Sequence, residues 1–310
     1  NMNAKKNLRY LANENAFLEA HGIQKKDHII PVPQFQTNVR VQAFGKGEPL
    51  LFIPGGPNSG TVWTQLAALL PQYQCLLLDR PGTGLSAPIS YKDLDNQRLT
   101  NIIQTTINEV LDYFKLKQVN LVGSSFGGYW TLKYAIQNPE KVHKLVLEGC
   151  PAFIQGFIIP PFMKMMTKPV MKWLIPKLPA TVSFSQKLMI DMGHVPEVLN
   201  DHISPLYHSW YKSMSNDTIT LANDIIVMNV AMKGRKVDPQ YYIKDQDLAR
   251  LNIPTLWLWG ENDPFGSLEA GNRVNQLMKD SRIIFFKNSG HLPWMDDPVR
   301  HGQLLGEFIS

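Results

Sequence analysis

Short apolar runs alternate with amphipathic stretches along most of the chain. The apolar runs are LLFI, CLLL, VNLV and KLVL in the first half and LWLW and IIFF near the end. The stretch 95–114 between two of them has the spacing of a surface helix. Nearly continuous apolar strands that alternate with amphipathic helices are typical of a parallel sheet covered on both faces. The pattern therefore predicts an α/β fold.

The first 47 residues follow a different pattern. Leu8, Leu11, Phe17 and Leu18 stand among polar residues and predict a short amphipathic helix that ends at Gly22. The runs HIIPVPQF and TNVRVQAFG come next, separated by very little chain. They predict an antiparallel hairpin ahead of the alternating part.

The alternation stops in the middle of the chain and resumes later. Residues 151–236 contain no clear strand pattern, several prolines and nine of the twelve methionines. We therefore expect a helical insertion there. It divides the α/β core into a first part, residues 1–150, and a second part, residues 237–310.

Composition narrows the class of protein. With 44% hydrophobic and 18% charged residues over 310 positions, the chain is too apolar for a disordered protein. The net charge of +5 is mild and scattered, so nucleic acid is not an expected partner. Cys75 and Cys150 have no neighbouring ligands at zinc spacing. We expect neither a metal nor a cofactor.

Membrane and export signals are weak. No stretch approaches the roughly 18 consecutive apolar residues of a membrane span, and the N-terminal residues lack the apolar core of a signal peptide. The sequence therefore predicts no stable membrane insertion. It also predicts a cytoplasmic location with both cysteines reduced.

One motif carries chemistry. The segment from Gly123 to Gly127 fits G-x-S-x-G and lies where an apolar strand gives way to a helix. A serine on such a turn is raised above the sheet, and only small residues two positions away avoid a clash. That spacing selects Ser125 and leaves Ser124 as a neighbour. A tight packing turn is the alternative interpretation of the pattern.

The motif, its context and the order of elements resemble the α/β-hydrolase family over about residues 28–310. The resemblance implies a mostly parallel eight-stranded sheet with helices on both faces and a helical lid inserted after the sixth strand. It also implies a catalytic serine, an acid and a histidine in that chain order. The residues outside the resemblance are those of the N-terminal helix.

The resemblance selects the base and the acid. His291 lies after a late apolar strand in NSGHLPW, where the family places its base. Asp263 in LWLWGENDPF matches the family acid. Glu261, two residues earlier, is an alternative, and so is Glu148 at the end of KLVLEG because some relatives supply the acid one strand earlier. The aspartate would fix the tautomer of the imidazole, which would take the proton of Ser125.

The resemblance also implies an oxyanion hole made of two backbone N–H groups. Phe126, which follows the nucleophile, would supply one, and Gly56 of the segment PGGP would supply the other. The family usually has histidine where this chain has Pro54, so the hydrogen bonds that support this loop must differ. The segment DRPGTGLS at 79–86 resembles a structural loop of the family, and its glycines do not complete a dinucleotide fingerprint.

The predicted lid suggests the nature of the substrate. Lys164, Lys168, Lys172 and Lys177 are four or five residues apart and share a helical face, with methionine and tryptophan opposite. Such a helix either covers the sheet, or offers a lipophilic surface for a substrate, or makes weak membrane contact through its basic face. Methionine suits a pocket that adapts to varied apolar groups.

These observations predict a serine hydrolase that cleaves a carboxylic ester or lactone with an apolar moiety through an acyl-enzyme. The expected partner is a small molecule with an apolar part, and the oligomeric state is left open. The same triad serves hydrolases that act like prolyl aminopeptidases and hydrolases of carbon–carbon bonds. A ligand receptor built on this fold is the alternative from a different class. Turnover would distinguish it from an enzyme.

Overall fold

One sheet of eight strands forms the centre of the molecule. The computed structural model describes residues 2–233 and 236–310. The strand order is β1-β2-β4-β3-β5-β6-β7-β8. Strands β1, β2 and β4 pair antiparallel, and β4, β3, β5, β6, β7 and β8 pair parallel. The prediction of a mostly parallel eight-stranded sheet is confirmed. The strands are β1 Lys26–Val32, β2 Thr37–Phe44, β3 Pro49–Ile53, β4 Gln74–Leu78, β5 Val119–Ser124, β6 Val142–Glu148, β7 Thr255–Gly260 and β8 Ser281–Phe286.

Helices cover both faces of the sheet because successive strand residues point to opposite sides. In β7, Trp257 and Trp259 join one apolar cluster, while Leu256 and Leu258 join the other. The helices of the two halves of the core are α1 Met2–Ala20, α2 Thr64–Ala67, α3 Asn96–Tyr113, α4 Phe126–Gln137, α11 Asp245–Arg250, α12 Leu268–Leu277 and α13 Pro298–Ile309. In the described part of the chain, no helix combines the length and hydropathy needed to cross a bilayer.

A helical segment follows the sixth strand. Its helices are α5 Pro161–Met166, α6 Pro169–Leu174, α7 Val182–Asp191, α8 Pro196–Leu199, α9 Pro205–Asp217 and α10 Thr220–Ala231. Gly234, Arg235 and the side chain of Lys172, all within the predicted lid, lie outside the part that the structure describes. The bounds 151–236 of the predicted lid stay a prediction.

The N-terminal helix is longer than the short helix expected from its apolar residues, and its buried side matches the expected one only in part. It spans 19 residues, and Leu8 is 68% exposed. Its buried side chains include Tyr10, Glu14 and Phe17, which recur at helical spacing. The sequence pattern identified Phe17 and Leu18 on this face but missed Tyr10 and Glu14, because a glutamate is rarely buried without a partner.

Glu14 ends in a buried cluster of charges. Arg40 on β2 donates two hydrogen bonds, of 2.7 and 2.8 Å, to the Glu14 carboxylate and one to Asp79. Burial alone would raise the pKa of Glu14, but the charge and hydrogen bonds of Arg40, with Lys25 and Thr61, lower it to about 2. The other acid of the cluster, Asp79, binds the backbone of two neighbouring loops. Asp79 accepts the N–H groups of Gly60 and Leu85, so the cluster connects α1 to the loops after β3 and β4.

Candidate active site

Ser125 lies at the turn between β5 and α4, as the motif predicts. Its backbone is in the left-handed region, with φ of 52° and ψ of −118°, which is unfavourable for a residue with a side chain. Its side chain is half-buried and lines the cavity described below. The neighbouring Ser124 belongs to β5 and is buried. The structure therefore separates the two serines as the spacing of the motif does.

The glycines of the motif are required by close backbone contacts. A Cβ on Gly127 would lie 2.0 Å from the carbonyl oxygen of Ile53, and one on Gly123 would lie 2.7 Å from the carbonyl oxygen of Gly127. Both distances are far below van der Waals contact. Only glycine at these two positions allows the turn to pack this closely against β3 and allows the two ends of the turn to approach each other.

Asp263 and His291 form a buried pair. His291 Nδ1 lies 2.9 Å from both carboxylate oxygens of Asp263. Each oxygen also accepts a backbone N–H, one from Phe265 and the other from Cys150, at 2.9 Å. His291 Nε2 is buried, and within residues 2–233 and 236–310 it has no hydrogen-bond partner. This arrangement keeps the proton on Nδ1 and leaves Nε2 able to accept one.

The structure places the two alternative acids elsewhere. Glu261 is exposed at the end of β7. Glu148 is buried and lies 2.9 Å from Nδ1 of His301, a residue of α13. Burial raises the pKa of Glu148, while the neighbouring His301 opposes that shift. Of the three acidic candidates, Asp263 is the one that contacts His291.

A second histidine–carboxylate pair supports the loop of His291. His194, between α7 and α8, lies with Nδ1 2.9 Å from both oxygens of Asp296. Asp296 also accepts the Ser289 hydroxyl and the Gly290 N–H, and His194 Nε2 accepts the N–H of Leu292. The pair therefore connects the residues that precede and follow His291 in the chain to the segment between α7 and α8.

Arg80 supports the loop that carries Gly56. Its guanidinium, which is buried, donates to the carbonyl oxygens of Pro54 at 2.9 Å and Gly55 at 3.0 Å. The same group pairs with Asp224 of α10, at 2.7 Å. Its central carbon also lies 5.1 Å from the ring centroid of Phe126, within reach of a cation–π contact. Arg80 thus supplies the support that Pro54, in place of histidine, cannot give.

The predicted site residues meet at one apolar cavity. Ser125, His291, Phe126 and Gly56 all line it. Most of the rest of its wall is apolar and comes from the segment between β6 and β7, including five of its nine methionines. These are Met163, Met166, Met192, Met228 and Met232. Burial raises the pKa of the two tyrosines of that wall, Tyr207 and Tyr211, so both phenols are neutral. Such a cavity favours an apolar ligand.

Sequence reasoning missed Arg80, Asp224, His194 and Asp296. Each acts through a partner more than 100 residues away, so no local motif marks it. One signal was present. The proline at position 54 implied that another donor must hold the loop, and Arg80 is the arginine of a segment already assigned to the edge of the site.

We expect Arg80→Met to lower kcat about 10²-fold, because a small displacement of the loop that it supports would misplace Gly56, the oxyanion donor that the family resemblance implies. It should also destabilise the fold by about 3–5 kcal/mol by leaving Asp224 buried without its cation. The double variant Arg80→Met/Asp224→Asn should recover much of that stability but not kcat. Thermal unfolding and steady-state kinetics measure the two effects. Recovery of kcat together with stability would show that Arg80 only balances charge.

No metal cluster accompanies these residues. Across residues 2–233 and 236–310, no three His, Cys, Asp or Glu side chains form a group that could hold a metal ion.

Comparison with known proteins identifies the class. The family model for the alpha/beta hydrolase fold matches residues 48–298, which is most of the chain. The chain therefore belongs to the α/β-hydrolase family, as its sequence motifs suggested, and is a hydrolase of that fold.

Individual relatives are more distant. A 2-hydroxy-6-oxononadienedioate/2-hydroxy-6-oxononatrienedioate hydrolase of Pseudomonas putida is 25% identical over 272 residues, covering 86% of this chain and 89% of the relative. Its counterpart in Escherichia coli (strain K12 / DH10B) is 23% identical over 273 residues, covering 86% and 88%.

Solved structures show the same fold at low identity. A carboxylesterase from Bacillus subtilis superposes with a TM-score of 0.74 at 18% identity, covering 98% of both chains. The 2-hydroxy-6-oxo-6-phenylhexa-2,4-dienoate hydrolase from Rhodococcus sp. strain RHA1 superposes with a TM-score of 0.75 at 16% identity, covering 92% of this chain and 99% of that one. The fold is thus shared by proteins named for ester cleavage and for cleavage of a dienoate.

Proposed function

We propose that this chain is a serine hydrolase that cleaves a carboxylic ester or lactone with an apolar acyl part through an acyl-enzyme. The observation that carries the proposal is that Ser125 and His291 line one apolar cavity while Asp263 holds the far side of the imidazole. Nucleophile, base and orienting acid are the three parts that such a reaction requires.

The first step is acyl transfer. Ser125 Oγ attacks the carbonyl carbon as its proton passes to His291 Nε2, and the carbonyl oxygen becomes an oxyanion. Asp263 remains ionised and stabilises the imidazolium. The proton then moves from Nε2 to the oxygen of the departing alcohol, so the ester bond breaks and Ser125 keeps the acyl group.

Two backbone N–H groups stabilise the oxyanion in this proposal. Phe126 is the first residue of α4, so its N–H has no partner within the helix. Gly56 comes from the loop that Arg80 supports. Donors of this kind are held in place before the charge develops. In the second step a water molecule gives a proton to His291 Nε2 and attacks the acyl carbon. The bond between that carbon and Ser125 Oγ then breaks, His291 returns the proton to Oγ, and the carboxylic acid leaves.

The nature of the cavity favours esters over the dienedioates named in the relatives. A dienedioate carries two carboxylates, and burying a carboxylate requires a cation or several donors. Among the described residues that line the cavity there is no lysine or arginine. The Arg80 guanidinium is occupied by Asp224 and two carbonyl groups. Carbon–carbon cleavage remains the second candidate because the relatives and the fold support it.

The charges at the cavity also argue against an aminopeptidase. Recognition of a substrate ammonium needs an available carboxylate, and Asp224 is the acidic side chain among the described lining residues. Both of its oxygens lie within 3.3 Å of Arg80, and Oδ1 also accepts from Asn223. A carboxylate paired in this way has little capacity for a second cation.

A panel of p-nitrophenyl esters tests the proposed function. We expect kcat/KM to rise about threefold to fourfold for each added methylene, because each buried CH₂ contributes about 0.8 kcal/mol. The rise should stop once the cavity is full. Absence of turnover on every ester and lactone would exclude the proposed activity, and faster cleavage of a 2-hydroxy-6-oxodienoate would favour the second candidate. Tight binding without turnover would indicate a receptor.

A further inference from the structure

The segment from Ile158 to Leu178 presents a row of apolar side chains to the outside. Trp173 is 63% exposed and Val170 is 62% exposed, and half or more of Ile158, Met165 and Leu178 is exposed as well. Five large apolar side chains within about twenty residues exceed the scattered exposure that is ordinary for a surface. We call this set the 158–178 surface.

The charge around this surface has one sign. From Gly149 to Ile190 the sequence contains five lysines and no aspartate or glutamate. Lys164, Lys168 and Lys177 are exposed beside the apolar residues, and Lys177 Nζ lies 3.4 Å from the ring centroid of Trp173. The 158–178 surface is therefore both apolar and cationic.

We propose that the 158–178 surface docks on an anionic lipid membrane. Exposed tryptophan is suited to the boundary between water and lipid, where its ring is buried and its N–H is hydrated. Lysines beside it are attracted to anionic headgroups, each adding roughly fivefold to the affinity. Docking of this kind is peripheral and needs no helix that crosses the bilayer.

Charge complementarity favours lipid over a second copy of the chain. A symmetric dimer places the same patch of both subunits face to face. Here that would bring the lysines of both copies together, with no acidic residue from 149–190 to pair with them. An anionic membrane provides the opposite charge and accepts the apolar side chains at the same time.

The docking surface and the cavity share one helix. On α5, Phe162, Met163 and Met166 line the cavity, whereas Lys164 and Met165 are exposed on the outer side. The inference goes beyond the proposed function. Where both hold, the helix that faces the membrane also supplies part of the cavity wall.

Co-sedimentation with vesicles tests the inference on the full chain. We expect the protein to partition onto phosphatidylglycerol vesicles about 100-fold more strongly than onto phosphatidylcholine vesicles, and less so as salt rises. Lys164→Gln/Lys168→Gln/Lys177→Gln should remove most of this preference, and Trp173→Ala should weaken binding roughly tenfold or more. These side chains do not line the cavity, so the variants should keep their turnover of a short soluble ester.

Matched controls separate this surface from general charge and exposure. Lys26→Gln/Lys115→Gln/Lys117→Gln removes three exposed lysines elsewhere, and Val299→Ala truncates an apolar side chain that is 57% exposed on α13. Both should bind vesicles like the unaltered chain. Binding is also measured with Ser125→Ala, so that the result does not depend on catalysis.

Three results would overturn the inference. The first is no preference for phosphatidylglycerol, and the second is equal loss of binding in the control variants. The third is self-association that Trp173→Ala abolishes in sedimentation velocity, which would assign the surface to a second copy. Since the soluble-ester assay is read separately, failure of vesicle binding is distinguishable from failure of the proposed hydrolysis.

Discussion

Ser125→Ala should lower kcat on any ester that the chain turns over by at least about 10⁴-fold, since removal of the proposed nucleophile leaves only the proposed oxyanion donors and the binding contacts. The fold and the cavity should be kept, because the change deletes one half-buried oxygen at an unchanged backbone position. Steady-state kinetics gives the loss of rate, and the Kd of an apolar carboxylic acid product checks that binding persists. A fluorophosphonate should label the unaltered chain and not the variant.

Ser124→Ala is the matched control for that experiment. Its hydroxyl is buried, and within the described part of the chain it has no hydrogen-bond partner. Removing an unpaired buried hydroxyl is neutral or stabilising. Turnover, labelling and melting temperature should therefore stay close to those of the unaltered chain. If Ser124→Ala abolished labelling and Ser125→Ala did not, the assignment of the nucleophile would be wrong.

Asp263→Asn should lower kcat by about 10⁴-fold with little change in KM. An asparagine can present its NH₂ to His291 Nδ1, which moves the imidazole proton to Nε2. The nitrogen that should accept the serine proton is then already protonated. Because tautomer control acts in the transition state, the loss falls on kcat. Steady-state kinetics on the best p-nitrophenyl ester measures both constants, and thermal unfolding checks that the variant is folded.

Glu148→Gln is the matched control for the acid. Glu148 contacts His301 rather than His291, so its loss should reduce stability by about 1–3 kcal/mol while kcat changes less than about threefold. The comparison discriminates between two buried carboxylates that end neighbouring strands. A larger loss of kcat in Glu148→Gln than in Asp263→Asn would contradict the proposed role of Asp263.

The sheet was predictable because its information is local. Each central strand is five to seven residues long and contains a run of four residues with at most one polar member. Burial on both faces removes the need for alternation. The hairpin of β1 and β2 was predictable for a similar reason, since its two runs are adjacent. The burial of Glu14 on α1 was not predictable, because this carboxylate becomes compatible with burial only through Arg40, a residue of β2.

In the candidate site, too, local sequence patterns were predictive and contacts between distant residues were not. Ser125 was identified because a strained turn needs glycines at fixed spacing, and this need is visible in five residues. The role of Asp224 depends on packing α10 against the loop after β3, where a Cβ on Gly56 would lie 2.9 Å from its carboxylate. Such packing brings together residues that are 168 positions apart. The local periodicity of apolar residues, which predicts helices and strands, does not predict contacts of this kind. The substrate is uncertain for the same reason, since the helical segment supplies most of the cavity wall.

The charge cluster of Glu14, Arg40 and Asp79 makes the sheet and its loops depend on α1. The family match begins at residue 48. Asp79 lies inside that match, but Arg40, which supplies its counter-charge, lies outside it. Arg40 in turn relies on Glu14. A fragment trimmed to the match would retain a buried carboxylate without a cation, next to the loop that leads from Gly56 to Gly60. We therefore expect a fragment of residues 48–298 to be less stable than the full chain, since its first boundary divides this charge cluster.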